Sequence, residues 1–172
     1  MKSSVLVLAG SLLLPTAALA QGINDAQIAK IVVTANQVDV DAGKLAASKA
    51  TNPEVKKFAQ TMVTDHTGVN KQAVDLATKL GVKPEDNDTA KSLASGGQAN
   101  LANLKTLKGK EFDKAYVDHE VAYQQALLHA VDKTLIPGAK NEELKALLVK
   151  VRPAFVAHLE HAKHVQASLG GH

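Results

Sequence analysis

Cysteine and tryptophan are absent from the 172-residue sequence. Without cysteine there is no disulfide, no thiolate metal site, no cysteine nucleophile and no lipid-modified cysteine. Aromatic residues amount to three phenylalanines and two tyrosines, too few for the stacking surfaces on which nucleic-acid bases are read. Charge of one sign is scarce as well: 20 basic residues stand against 17 acidic ones, and they are scattered. Nucleic acid is therefore excluded as a partner, since its recognition needs a basic patch. No serine stands in a hydrolase motif and no glycine-rich loop could cradle a phosphate.

The first twenty residues read as a removable segment. Lys2 gives a short positive start, residues 5–14 are apolar apart from Gly10 and Ser11, and Ala18-Leu19-Ala20 is the small-x-small pattern that a signal peptidase cuts. The run is too short to span a bilayer, and no other stretch is long and apolar enough to do so. Residues 1–20 are thus predicted to be a cleaved signal peptide, with mature protein starting at Gln21. Residues 21–172 would form a single domain, periplasmic or secreted, with no integral membrane segment. Twenty-eight alanines point to closely packed helices.

Four segments carry helical periodicity and none alternates like a strand. The first covers residues 25–50. The second opens at Asn52-Pro53-Glu54, an N-cap followed by proline and an early carboxylate, and stops at Gly81. The third covers 110–135, before Pro137-Gly138. The fourth starts from Asn141, has Glu142 and Glu143 in its first turn, and ends at Gly170-Gly171. Pro153 lies inside it and is expected to bend it. Short links make hairpins of helices one and two and of helices three and four. Residues 81–109 form a long connection, interrupted at Gly96-Gly97 and ending in a short accessory helix around Leu101, Leu104 and Leu107. Such a connection suits the single crossover of a ferritin-like four-helix bundle; an up-down-up-down order is the other arrangement.

Placing residues at 100° per position puts one acid or imidazole among the apolar side chains of each helix. These are Asp39 on the first, His66 (flanked by Asp65) on the second, His119 on the third and His158 on the fourth. Counted from the helix ends, they lie at similar depths. Neutral imidazole and carboxylate bind Zn, Fe, Mn, Ni or Cu ions, so Asp39, His66, His119 and His158 form a candidate transition-metal site, with Asp65 as a further ligand or an orienting partner. A metal-free layer of hydrogen bonds is the competing arrangement, in a bundle that would act through a protein or surface partner. His161 and His164 follow His158 at three-residue steps but rotate toward solvent. Glu120 falls at the edge of the third helix's face.

Three stretches carry a resemblance: Asn52-Pro53-Glu54-Val55-Lys56-Lys57-Phe58-Ala59-Gln60-Thr61-Met62-Val63-Thr64-Asp65-His66, then Phe112-Asp113-Lys114-Ala115-Tyr116, and Pro153 with His158-Leu159. In these the chain resembles exported bacterial proteins grouped as a domain of unknown function with a ferritin-like fold, often labelled outer membrane proteins. The resemblance implies a four-helix bundle with an accessory helix, exported from the cytoplasm, and no defined reaction. Asp39 stands where that group commonly has glutamate, and Tyr123 where it often has histidine. Di-iron ferritins use Glu-x-x-His on two helices. Val63 precedes His66 and Phe155 precedes His158 at that spacing, so the ferroxidase motif is absent.

Overall fold

The computed structural model describes residues 22–170, so the predicted signal peptide and the terminal His172 lie outside the described residues. Five long helices account for most of the chain, and no strand occurs among the described residues. They are α1 (Asp25–Lys49), α2 (Pro53–Lys79), α3 (Asp88–Thr106), α4 (Gly109–Ala130) and α5 (Glu142–Gly170). A π-turn at Val131–Leu135 and a short helix at Ile136–Gly138 extend α4. None of the helices is long and apolar enough to cross a membrane.

Asparagine side chains set the starts. Asn24 accepts from the Gln27 N–H, and the Gln27 side chain accepts from the Asn24 N–H in return. Asn52 accepts from the N–H groups of Glu54 and Val55, and Asn141 from those of Glu143 and Leu144. Each satisfies donors that the first helical turn leaves free. Helix α5 runs unbroken through Pro153.

Hydrogen bonds at the two ends fix the helix directions. Asp113, early in α4, accepts from the N–H groups of Thr51 and Asn52 and from the Thr51 hydroxyl, so α4 starts beside the α1–α2 turn. Asp25, the first residue of α1, accepts from the N–H groups of Lys140 and Asn141, so α5 starts beside the start of α1. Ser168, near the end of α5, donates to Glu54 at the start of α2. Helix α3 begins where the Glu85 N–H meets the Ala26 carbonyl and ends where Lys49 donates to the Leu104 and Lys105 carbonyls. It therefore runs parallel to α1 and carries the chain from one end of the helical bundle to the other.

Helix α3 corrects the expectation of a connection interrupted at Gly96-Gly97 and ending in a short accessory helix. Asn87 caps it by accepting from the Ala90 N–H, and it runs for 19 residues. Gly97 is a close-approach glycine: a Cβ there would lie 2.7 Å from Val38 Cγ2 on α1. Gly96 faces open space. We expect Gly97→Ala to destabilise by about 1–2 kcal/mol, an overpacking cost partly offset by helix propensity, and Gly96→Ala to stabilise by up to about 1 kcal/mol. Thermal melts of the two variants check this opposition of sign.

The apolar interior is divided. One cluster holds Ile28, Ile31, Val69, Leu127, Val131, Leu148 and Phe155; the other holds Ala46, Val55, Phe58, Met62, Phe112, Tyr116 and Val165. Between them, on every one of α1, α2, α4 and α5, buried polar residues intervene: Asn36 and Asp39, His66, Glu120 and Gln124, and His158. The polar side chains form a layer across the middle of the molecule.

Candidate functional site

Burial of polar groups at mid-height is costly unless each finds a partner. Asn36 answers this for His66. Its amide nitrogen donates to the Val32 carbonyl at 2.8 Å, which turns its oxygen toward His66 Nδ1 at 2.7 Å. The Nδ1 proton is thereby assigned, and Nε2 keeps its lone pair facing Gln124 Nε2 at 3.5 Å. The ring stacks on Phe155, with planes 5° apart. Burial, then the His158 charge, drives the His66 pKa down to about 3. His66 is neutral, so its 3.4 Å approach to Asp39 is a polar contact and not an ion pair.

Two carboxyls share the layer. Asp39 accepts from Gln124 Nε2 at 3.2 Å through Oδ1. Burial and the Glu120 charge raise the Asp39 pKa well above the ordinary carboxylate range. Burial raises Glu120 to about 8. No lysine or arginine is buried among the described residues, so no fixed cation compensates either group. His158 completes the layer: its Nε2 lies 2.9 Å from Asp65 Oδ2, and its ring centroid 4.9 Å from that of His66. Asp65 sits at the rim.

Four atoms of this layer are buried without a hydrogen-bond partner: Asp39 Oδ2, Glu120 Oε2, Gln124 Oε1 and His158 Nδ1. The Tyr116 hydroxyl, packed in the apolar cluster next to the layer, shares that condition. Three of the unpaired atoms, on Asp39, Glu120 and His158, are carboxylate and imidazole donors of the kind that borderline transition metals take. Both imidazoles already have the opposite ring nitrogen held, His66 by Asn36 and His158 by Asp65. That is the arrangement in which metal-ligating histidines are oriented. As placed, however, no group of three or more His, Asp or Glu side chains among the described residues stands close enough to hold an ion.

Of the residues expected from the sequence, Asp39, His66 and His158 come together, with Asp65 beside His158. His119 does not join them. It is half-buried at the edge of α4, stacked on Tyr123, with Nδ1 unpaired. Its place is taken by Glu120, with Gln124 one turn further on. The expected face of α4 runs through Phe112, Tyr116, Tyr123, Ala126 and Ala130 with His119 among them; the buried face keeps Phe112 and Tyr116 but continues through Val117, Glu120, Gln124 and Leu127. An apolar-weighted helical projection turns away from such a face, because Asp113, Glu120 and Gln124 lie on it. The usable signal was the four-residue spacing of Tyr116, Glu120 and Gln124.

The family described as a domain of unknown function, DUF4142, matches residues 13–165. No curated protein and no solved structure matches the chain.

Proposed function

We infer a role for this chain from its family and its interior: it belongs to the DUF4142 family, a domain of unknown function, and we read it as an exported ferritin-like four-helix bundle that binds a transition metal. Helices α1 and α2 would form one hairpin of the bundle, α4 and α5 the other, and α3 the crossover. Export rests on Ala18-Leu19-Ala20 behind its short apolar run. The role is metal binding or stress protection in the periplasm, not turnover.

One observation carries the metal reading. Asp39 Oδ2, Glu120 Oε2 and His158 Nδ1 are buried without partners, in a layer that also holds the His66 Nε2 lone pair. Two nitrogens and two carboxylates suit Zn, Fe, Mn, Ni or Cu. A bound ion would neutralise the carboxyl pair and satisfy the unpaired atoms. Because the side chains do not already stand at ligand distance, uptake requires them to close on the ion. Asp65 would orient His158 rather than bind.

The missing preformed cluster favours a second reading, in which protons occupy the layer and the bundle acts through a protein or surface partner. Calorimetric titration of tag-free protein with Zn, Mn, Fe(II), Ni and Cu ions separates the two. Metal binding predicts saturable uptake of one ion and a melting temperature that rises with its concentration. His66→Ala and Glu120→Gln should each weaken uptake at least tenfold, the usual scale of losing a ligand, whereas His119→Ala should leave it within twofold. Absence of uptake with all five ions would leave the metal-free layer.

A further inference from the structure

We propose that His161 and His164 on α5, together with Asp65 on α2 beside His158, form the path by which a transition metal ion reaches the central layer. This rests on the metal-binding reading above. Asp39 and Glu120 are 1% exposed and His66 and Gln124 are fully buried, so an ion cannot approach them directly. Asp65 is different: its side chain is 44% exposed and its carboxylate is joined to the buried His158. It is where the layer touches water. On the α4 side, His119 stacks on Tyr123, and the Tyr123 hydroxyl is tied to the Ala35 carbonyl at 3.1 Å.

From His158 the imidazoles continue along α5 at steps of three residues, about 4.5 Å of rise each. Their exposure is graded. His158 is buried, His161 is half-buried with its ring edge-on to Phe58 at 5.0 Å, and His164 is exposed. Burial first, then the charges of His164 and His158, hold the His161 pKa below its ordinary value, which keeps its lone pair free for a metal at neutral pH. Three-residue spacing on a helix makes each imidazole a neighbour of the next, with Cβ atoms about 5–6 Å apart. An ion passed along such a series exchanges one imidazole for the next by ligand substitution, with no change of oxidation state. Among the described residues neither His161 nor His164 makes a side-chain hydrogen bond, so their ring nitrogens are not committed to holding an element in place.

A path alters the speed of loading and of release equally and leaves the equilibrium alone. A ligand alters the equilibrium. Zinc delivered from a coloured indicator complex gives the loading rate, and its transfer to excess chelator gives the release rate. For the H161Q/H164Q double variant we expect both rates to fall tenfold or more, with affinity within twofold of wild type. His129→Gln, exposed on α4, should match wild type in both rates. Wild-type rates in the double variant, with full binding, would overturn the path and leave the metal site standing. Weaker binding through faster release would also overturn it, by making the pair ligands. Zinc uptake absent from the wild-type protein would overturn path and site together.

Discussion

Replacing Asp113 by alanine is expected to destabilise the protein by about 3 kcal/mol, lowering the melting temperature by roughly 6–12 °C for a domain of this size. The Asp113 side chain is buried, and its two oxygens accept from the Thr51 N–H at 3.0 Å, the Thr51 hydroxyl at 2.6 Å and the Asn52 N–H at 2.8 Å. Hydrogen bonds to a charged acceptor are about twice as strong as neutral ones. Truncation also strands two backbone donors in a part-buried turn. Asp113→Asn should recover part of the loss, because the amide oxygen still accepts while its nitrogen opposes a donor. Asp118→Ala, which removes exposed partners of Lys114 and Gln166, should cost less than about 1 kcal/mol. Denaturant melts of the three variants check the order.

Stability of the metal-free protein, held in chelator, should fall by about 2 kcal/mol between pH 6.5 and 8, and Glu120→Gln should reduce that fall. Glu120 is raised to about 8 from an ordinary 4.5. Between those values the folded state holds a proton that the unfolded state has released, so stability declines as pH rises through the window. His66 runs the other way. Lowered to about 3 from 6.5, it is uncharged in the folded state where the unfolded chain binds a proton, so stability declines as pH falls through that range. The two slopes oppose each other from pH 4.5 to 6.5, which leaves a plateau with a loss on either side. Asp39 faces Glu120 from α1, and Tyr116 precedes it by one turn on α4. Raised like Glu120, Asp39 steepens the alkaline loss. Melts from pH 4 to 9 should show a steep alkaline limb in wild type and a shallower one in Glu120→Gln, with the acid limb kept in both.

Much of the architecture was legible because its signals are local. Asn52-Pro53 and Asn141 announced the starts of α2 and α5 through cap chemistry that a sequence carries whole. Matched depths of Asp39, His66 and His158 followed from counting residues along helices, and the layer is where that count put it. Helix α3 was underestimated for a reason that is not local: Gly97 marks a close approach to Val38, and a glycine kept for tertiary contact looks the same as one that ends a helix. Glu120 was hidden because burial of a carboxyl depends on neighbours from other helices. Asp113 and Asp25 gave no warning either. An acid near a helix start is usually a partner of the helix dipole, and here both reach to distant backbone, 115 residues away in one case and 61 in the other.

Those two carboxylates make the halves of the chain depend on each other. The turn between α1 and α2 is completed by a residue of α4, and the turn before α5 by a residue of α1. Neither half carries what its own bend needs. Separated, each would leave its turn's N–H groups to water and lose the anion that orders them, so the halves gain order together, in one cooperative step. Residues 80–87 and α3 are the covalent tether between them, and the mutual exchange of acids acts where the tether does not. A chain nicked in that stretch would keep its two pieces joined, each supplying an end that the other lacks.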